Sequence, residues 1–404
     1  MTNTTTNLVG LTRHELEELA VSLGQQRYRG RQLYHGIYGR LLQDFGAFTD
    51  LDLGFRQRLA VNCEIAHRPV LRELTSRDES IRYLMGLPDG ASIEAVCMPW
   101  RFERRGGRQV ATPSGREPAS HPGTGPAGSD DEAEEPRTTL CISSQVGCAV
   151  GCQFCFTGLL GAGRNLTSGE IVGQVLTIAR SRGLWGVTAK RRSAGSEPEN
   201  GIRVANPRAA PRVNIVFMGQ GEPLLNLDSV IKAVEILADS GACGVPLRRI
   251  TVSTAGIVPR IYDLARAPVR PKLAISLNAS NDEQRDALMP INRKYPLDDL
   301  LEACRAYPMR PRERLTFEYV MLRGLNDSDE DATRVASLLA GIPARVNLIP
   351  YNGGTALPYR SSPLERVYGF EKVLRDLGVP TFIRISRGQD IMAACGQLSL
   401  SAKS

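Results

Sequence analysis

Short apolar runs alternate with amphipathic segments along most of the chain. The runs predict strands at residues 138–142, 213–218, 250–253, 273–277, 315–321, 346–349 and 382–385. Apolar positions three and four residues apart predict helices at residues 167–182, 228–240, 259–265, 297–307, 329–339 and 363–377. Repeated strand-then-helix units are typical of an α/β protein with a parallel sheet, and either a full or a partial barrel fits this order. Ligands of such sheets bind at the carboxyl ends of the strands.

The first hundred residues have a different pattern. Leu16, Leu19 and Leu23 are spaced as on a helix, and we expect helices from residue 11 to about residue 61. The next stretch, to about residue 100, is strand-like, with a Gly-Leu-Pro-Asp-Gly turn at residues 86–90. We therefore expect residues 1–100 to form a small N-terminal accessory domain that begins with helices and continues with short strands.

Two segments interrupt these patterns. Residues 101–137 are rich in Gly, Pro, Ser and charged residues, a composition that buries no core, and we expect a disordered insertion there. A second, basic insertion runs from about residue 181 to about residue 212. Its Lys and Arg side chains could contact RNA phosphates, or the segment could simply be a solvated loop. The predicted core is therefore residues 138–398 with this second insertion inside it.

Charge and targeting signals narrow the function only slightly. The net charge of +7 permits a polyanionic partner such as nucleic acid but does not require one. No apolar run is long enough to span a membrane, and the N-terminus lacks the basic start and apolar core of a signal peptide. We expect a cytoplasmic protein with no membrane partner.

Three of the nine cysteines form a Cys-x3-Cys-x2-Cys motif: Cys148, Cys152 and Cys155. Three thiolates can hold three irons of a 4Fe-4S cluster and leave the fourth iron free to bind a small molecule. A structural zinc site is the main alternative, but it needs four protein ligands, and none of the four histidines is adjacent to the motif. A ferredoxin needs a fourth cysteine, and Cys141 does not have the ferredoxin spacing.

The motif, with Phe154 before its last cysteine, resembles the radical S-adenosylmethionine (SAM) superfamily. The resemblance implies that SAM binds the free iron, and that one electron cleaves SAM to methionine and a 5′-deoxyadenosyl radical. The segment Met-Gly-Gln-Gly-Glu-Pro at residues 218–223 is similar to the superfamily's SAM contact and indicates Gly221 and Glu222. Residues at later strand exits complete the expected SAM site, although Ser and Asn are also common in ordinary turns: Ser253, Ser276, Leu277, Asn278 and Asn352.

Four stretches together narrow the resemblance: residues 141–148, the cysteine motif with its Phe-Thr-Gly tail, residues 218–226 and residues 387–398. They are similar to the RlmN family of dual-specificity radical SAM RNA methyltransferases. Residues 345–352 are also similar to that family. The resemblance implies a partial (β/α) barrel of the radical SAM type, one 4Fe-4S cluster, two SAM molecules per turnover, and a reducing electron donor such as flavodoxin, in a monomer. It also implies methylation of carbon 2 of an adenosine in the peptidyl-transferase centre of 23S rRNA, and of the adenosine 3′ of the anticodon in tRNAs.

Three residues gain catalytic roles only through this resemblance. Cys395 accepts a methyl group from a first SAM, and after a second SAM supplies the radical, the resulting methylene group adds to carbon 2. Cys141 then removes the carbon-2 proton and closes a transient disulfide with Cys395, which thiol–disulfide exchange resets. Glu94 falls where the family places an acid/base carboxylate. Without the resemblance, the two cysteines would be interpreted as buried apolar residues and Glu94 as a surface carboxylate.

Two alternative functions remain open, and one residue departs from the family pattern. A Cfr-type enzyme, which methylates carbon 8 of the same rRNA adenosine, shares the cysteine set. An RNA-binding protein with a structural metal centre and no turnover is an alternative from a different class. Asn278 departs from the family pattern, because close relatives commonly have His there. Basic residues across the accessory domain, such as Arg27, Arg29 and Arg31, are candidate phosphate contacts.

Overall fold

The computed structural model describes residues 5–66, 68–99, 101–105, 108–112, 137–185, 213–353 and 357–398. Residues 113–136 of the first predicted insertion and 186–212 of the second lie outside the described residues. Within the first insertion, Arg101–Arg105 and Arg108–Thr112 form an antiparallel pair of strands, where composition predicts disorder. Backbone hydrogen bonding between adjacent segments, which composition does not reveal, explains this difference.

The strands of the described residues are short. They are β1 (Thr6–Asn7), β2 (Cys63–Glu64), β3 (Val70–Thr75), β4 (Ile81–Gly86), β5 (Ser92–Met98), β6 (Arg101–Arg105), β7 (Arg108–Thr112), β8 (Thr138–Cys141), β9 (Gln145–Gly147), β10 (Ala162–Asn165), β11 (Val213–Phe217), β12 (Ile250–Thr254), β13 (Lys272–Ser276), β14 (Leu315–Met321), β15 (Ala344–Pro350) and β16 (Thr381–Ile383).

Ten of these strands form one sheet, in the order β16-β15-β14-β13-β12-β11-β8-β5-β4-β3. All the pairs from β16 to β8 are parallel, whereas β5, β4 and β3 are added antiparallel. In the described part of the chain, β16 and β3 each pair on one side only, so the sheet is open. The predicted α/β fold of the partial-barrel type is confirmed.

Helices connect the parallel strands, as the pattern predicts. The α-helices of the described residues are α1 (Arg13–Ser22), α2 (Arg27–Tyr34), α3 (Leu53–Asn62), α4 (Phe156–Leu159), α5 (Ser168–Arg182), α6 (Leu227–Ala238), α7 (Val258–Ala265), α8 (Asp282–Leu288), α9 (Leu297–Ala306), α10 (Asp329–Leu338) and α11 (Leu364–Asp376). The sequence pattern misses α4 and α8 because each is too short for a full amphipathic repeat. Among the described residues, no helix combines the length and the apolar character that crossing a membrane requires.

The accessory strands continue the core sheet. β5 pairs with β8, and Val96 lies opposite Cys141. Near the N-terminus, an ideal Cβ at Gly10 would lie 2.4 Å from the backbone nitrogen of Gly169, so the chain approaches the start of α5 too closely for any side chain. A single hydrophobic cluster includes residues from α1 to α11. In the described residues, the accessory strands and the core strands therefore share one sheet and one hydrophobic cluster.

Candidate active site

A cavity with about 970 Å³ of empty space opens at the carboxyl ends of the parallel strands. The predicted site residues that line it are Cys148, Cys152, Cys155, Gly221, Glu222, Ser253, Ser276, Asn278, Asn352 and Cys395. Three other predicted residues, Glu94, Cys141 and Leu277, do not line it. The structure thus brings residues from six separate segments to one place.

The cysteine loop, residues 148–155, is fixed at its start and against α8. The Cys148 amide donates a hydrogen bond to the Gly161 carbonyl (2.8 Å), next to the pairing of β9 with β10. Gly147 has a φ of +70°, and an ideal Cβ there would lie 2.3 Å from the Gly161 oxygen, so this turn requires glycine. On the other side of the loop, the Gln153 amide donates to the Leu288 carbonyl at the end of α8 (2.9 Å). These hydrogen bonds define the path of the loop.

The three thiols of the loop are all free of disulfide bonds. Burial raises the pKa of Cys148 to about 11 and raises the pKa of Cys152 well above its usual value. At neutral pH these thiols therefore need a metal to become thiolates. Among the described residues, no three His, Cys, Asp or Glu side chains are arranged to hold a single metal ion. A cluster does not need such convergence, because each thiolate binds its own iron, so the donor set fits a cluster better than zinc.

Glycines bring the loop after β11 against the end of β8. At Gly219, an ideal Cβ would lie 2.7 Å from the Ile142 carbonyl carbon. At Gly221, where φ is +98°, it would lie 2.5 Å from the Cβ of Gln145. No side chain fits at either position. The Glu222 amide then donates to the Gln145 side-chain oxygen (2.8 Å), which fixes the start of the following turn.

Glu222 is buried, and backbone amides hold both of its carboxylate oxygens. Oε1 accepts a hydrogen bond from the Leu224 amide (3.0 Å) and Oε2 from the Ala255 amide (2.7 Å). Burial raises the pKa of this carboxyl to about 7, although the two amides oppose the shift. A cation such as an ammonium group, bound in the cavity, would favour the charged form of Glu222.

Asn278 joins the exits of β13 and β14. Its φ is +57°, a left-handed conformation that Asn adopts more readily than most residues. The side-chain oxygen accepts a hydrogen bond from the Val320 amide (2.9 Å), and the side-chain nitrogen contacts the Met289 sulfur (3.3 Å). Leu277 before it is buried, and its carbonyl accepts a hydrogen bond from Arg285 (3.2 Å). In the structure, Leu277 therefore supports the cavity wall from behind.

The C-terminal loop, residues 386–398, carries Cys395 across the cavity. Asn352 binds the start of this loop, because its side chain donates to the Ser386 hydroxyl (2.7 Å) and accepts from Gln389 (2.8 Å). Beyond Cys395, the Phe156 amide after the cysteine loop donates to the Gly396 carbonyl (2.8 Å). The loop is thus tied to both the last strands and the cysteine loop.

Cys395 and Cys141 are both free thiols on this side of the cavity. Cys395 is exposed, but the surrounding protein limits its hydration and raises its pKa to about 11, with a contribution from the Glu318 carboxylate. Cys141 is buried at the end of β8, and its pKa is raised by burial and by the nearby Cys395 thiol. It packs with Val96, Ala393 and Leu398 beneath the C-terminal loop.

Glu94 is fully buried on β5 and is not the surface carboxylate that its sequence context alone suggests. Its Oε1 accepts a hydrogen bond from Arg82 Nε (2.8 Å) in a buried ion pair. Arg82 also donates to the Ile391 carbonyl of the C-terminal loop (3.0 Å). Glu94 Oε2 has no hydrogen-bond partner among the described residues. This oxygen is therefore available for a hydrogen bond. It lies on β5, the strand in which Val96 pairs with Cys141.

Four further polar residues line the cavity without being predicted from the sequence: Thr157, Thr254, Glu318 and Tyr351. Glu318 lies on β14, where its Oε1 accepts a hydrogen bond from Asn347 (2.8 Å) and burial raises its pKa. Tyr351 has a buried hydroxyl with no partner among the described residues. A glutamate inside the apolar run at residues 315–321 is a signal that could have indicated Glu318.

The accessory-domain arginines lie on or near the surface of α2. Arg27 and Arg31 are exposed, within 4 Å of Glu17 at 3.9 and 3.7 Å. Arg29 donates to the Asp50 carbonyl (2.7 Å). Their contact with RNA phosphates stays a prediction.

Two protein-family models match parts of this chain. Residues 142–336 match the model of the radical SAM superfamily. Residues 6–65 match the model of the ribosomal RNA large subunit methyltransferase N-terminal domain. The first match includes the cysteine loop and the exits of β11 to β14, and the second covers the helical start of the accessory region.

Individual relatives are similar over nearly the whole chain. The probable dual-specificity RNA methyltransferase RlmN of Koribacter versatilis is 46% identical over 93% of this chain and 96% of its own. The dual-specificity RNA methyltransferase RlmN of Desulfotalea psychrophila is 41% identical over 97% of this chain and 94% of its own. The crystal structure of a radical SAM methyltransferase from Sphaerobacter thermophilus has a TM-score of 0.78 at 40% identity, and covers 97% of this chain and 99% of its own.

Proposed function

The chain belongs to the RlmN family of radical SAM enzymes, and we propose that it methylates carbon 2 of adenosine in RNA. The proposed targets are an adenosine in the peptidyl-transferase centre of 23S rRNA and the adenosine 3′ of the anticodon in tRNAs, in the cytoplasm. The names of the similar proteins support RNA methylation. The choice of carbon and of nucleotide rests on the family resemblance.

The cavity fits the cofactors that the family implies. Cys148, Cys152 and Cys155 would hold one 4Fe-4S cluster, since the three free thiols border the cavity. When bound, the cluster supplies the electron that cleaves SAM. Glu222 would bind the SAM ammonium group, and the residues at the later strand exits would bind the rest: Ser253, Ser276, Leu277, Asn278 and Asn352. A reducing protein such as flavodoxin is the proposed electron donor to a monomeric enzyme.

A single observation carries the proposal: the free Cys395 thiol lines the same cavity as the cluster cysteines. An enzyme that only made a radical would need no nucleophile there. As a thiolate, Cys395 would take a methyl group from a first SAM, forming a sulfur–carbon bond as the sulfonium bond breaks. The deoxyadenosyl radical from a second SAM would take a hydrogen atom from that methyl group, and the resulting carbon radical would bond to carbon 2 of the adenine. Two SAM molecules are therefore proposed for each turnover.

Cys141 would complete the reaction. It would accept the carbon-2 proton as the base adduct gives up one electron to an acceptor such as the oxidised cluster. Its sulfur would then bond to the Cys395 sulfur as the carbon–sulfur bond of Cys395 breaks, and the released carbon would take up a proton to become the methyl group of the adenosine. Thiol–disulfide exchange would restore the pair. The packing of Cys141 beneath the C-terminal loop, together with its electrostatic interaction with Cys395, supports this role.

Glu94 is the proposed acid/base residue near the adenine. Arg82 holds Oε1, and Oε2, which has no partner among the described residues, is the oxygen proposed to act on the base. The target base would have to be unstacked from folded RNA to reach this depth. Arg27, Arg29 and Arg31 are the proposed phosphate contacts that would position the RNA.

Anaerobic reconstitution with iron, sulfide, SAM and a reductant tests the proposal. We expect iron–sulfur absorbance, deoxyadenosine release, and 2-methyladenosine in both 23S rRNA fragments and tRNA by mass mapping. Formation of 8-methyladenosine would instead identify a Cfr-type enzyme. A protein with no cluster absorbance and no deoxyadenosine would be an RNA-binding protein with a structural metal centre.

A further inference from the structure

Arg285 is a completely buried arginine on α8. Its Nη2 donates hydrogen bonds to the carbonyls of Ala255 (2.7 Å) and Ser276 (3.2 Å), and its Nε donates to that of Leu277 (3.2 Å). Its Nη1 donates to the Asn292 side-chain oxygen (2.8 Å). The guanidinium therefore connects the exits of β12 and β13, both of which border the cavity.

No carboxylate among the described residues forms a hydrogen bond or an ion pair with Arg285. Asn292 separates the guanidinium from the two nearest acids, since its nitrogen donates to Asp282 and Asp286 (2.8 Å each). A fully buried charge without a paired anion is costly, because carbonyl dipoles replace only part of its hydration. This cost raises the question of which negative charge offsets it.

The cysteine loop lies against the same helix. The Gln153 amide donates to the Leu288 carbonyl, and Leu288 and Met289 belong to the hydrophobic cluster against which the three cysteines of the loop pack. Arg285 and the Cys152 thiol also interact electrostatically, each favouring the charged form of the other, and this interaction precedes the weaker ones of Arg285 with Asp282, Cys304 and Asp286. The thiolates of a bound cluster are therefore the anions that the position of Arg285 suits.

We propose that Arg285 is a positioning residue for the cluster, which offsets the negative charge of the thiolates and favours the reduced state. This inference rests on the proposed function, because it requires a cluster at Cys148, Cys152 and Cys155. Reduction adds one electron to a site that is already negative. A fixed, dehydrated cation nearby stabilises the reduced form more than the oxidised form. The same hydrogen bonds hold the strand exits where SAM would bind.

The test is a redox titration of the reconstituted cluster, followed by absorbance and electron paramagnetic resonance, without SAM or RNA. Arg285→Gln keeps a hydrogen-bonding side chain but removes the charge. We expect its reduction equilibrium to be at least tenfold less favourable than that of the wild type, or about 59 mV for one electron. Arg285→Lys keeps the charge, and we expect a shift of less than threefold. Arg266→Gln, at an exposed arginine after α7, is the matched control and should not shift.

Each outcome decides the inference. An unchanged potential in Arg285→Gln, with the cluster intact, overturns it. Equal shifts in the Gln and Lys variants overturn it too, because they would show that the reduction potential depends on the hydrogen bonds of the guanidinium group and not on its charge. If Arg285→Gln does not fold or binds no cluster, Arg285→Lys decides: a wild-type potential supports the inference, and a tenfold loss overturns it. A wild type without a cluster contradicts the proposed function itself, which is a distinct result.

Discussion

Two groups of residues around the cavity, some lining it and others lying behind its wall, differ in how many of their polar atoms already form hydrogen bonds. On the side of the strand exits, Glu222, Asn278 and Arg285 all make hydrogen bonds to backbone groups. On the side of β5, β8 and the C-terminal loop, Cys141 and Cys395 are free thiols, and Glu94 Oε2 has no partner among the described residues. The first side is preorganised to bind, and the second keeps groups available for bond making. This difference predicts separable effects of substitution.

Substitution of Cys395 should have the largest effect on activity. It should impair the chemical steps and leave ligand binding unchanged. We expect Cys395→Ala to lower RNA methylation by roughly 10³-fold or more, as loss of a covalent nucleophile does elsewhere. Cluster absorbance, SAM affinity and RNA affinity should stay at wild-type values, because the residues of the strand exits are untouched. Cys63→Ala, at a buried cysteine of the accessory region, is the control. Methylation at the wild-type rate in Cys395→Ala would rule out the methylcysteine route.

Glu94→Gln should have the next largest effect. It keeps the shape of the side chain but removes the proton acceptor, and we expect a loss of ~10²-fold or more in 2-methyladenosine formation. The methyl group on Cys395 should still form, which mass spectrometry of the protein can measure. Because the substitution also leaves Arg82 without its anion, thermal unfolding must be followed in parallel. Parallel loss of Cys395 methylation and adenosine methylation would indicate a structural role for Glu94 instead.

The fold follows from the apolar pattern more directly than the site does. The core strands lie within about two residues of their predicted bounds because buried parallel strands are continuous apolar runs. The pairing of β5 with β8 was not predictable, because antiparallel accessory strands have no sequence signal for the strand they will join. As a result, the sequence gives no indication that Arg82 and Glu94 would lie beneath the C-terminal loop.

Site residues were predictable where glycines or cysteines have a characteristic spacing. The cysteine loop and the Gly219–Glu222 turn have such signals, since close backbone approach excludes every other residue at Gly219 and Gly221. Tyr351 and Arg285 have no such spacing, and for Glu318 the only signal is a glutamate inside an apolar run. Each is a single polar residue in an apolar or helical segment, and only the fold brings it to the cavity or behind it.

Glu222→Gln should affect the binding side and leave the thiols intact. We expect SAM affinity to fall by roughly 10- to 100-fold, because a charged hydrogen-bonded group is lost and an NH₂ group then faces a backbone donor. Equilibrium binding of SAM to the cluster-loaded protein measures this, with the exposed Glu235→Gln as the control. Unchanged SAM affinity would exclude Glu222 from the SAM site.

The pH dependence of SAM affinity also tests whether Glu222 binds SAM. Burial raises the pKa of Glu222 to about 7, so its negative charge is present above this pH and is lost as the pH falls through it. SAM affinity of the wild type should therefore decrease as the pH is lowered from 8 to 6, by up to roughly tenfold per pH unit for one proton. The Glu222→Gln variant should lack this dependence. An equal slope in both proteins would assign it to another group.

Asn278 should give the smallest effect, because its contribution is to backbone geometry. Asn278→Ala loses the hydrogen bond to Val320 and places alanine in a left-handed conformation, which together should lower the free energy of unfolding by about 2 kcal/mol. Asn278→His introduces the residue common in close relatives, and His also adopts this conformation more often than most residues, so we expect a loss of less than about 1 kcal/mol. Urea unfolding measures both. If SAM contacts this position through the backbone, the His variant should keep SAM affinity within about threefold, the equivalent of less than 1 kcal/mol. A His variant as unstable as the Ala variant would show that the amide contacts to Val320 and Met289, and not the backbone conformation, fix this exit of the sheet.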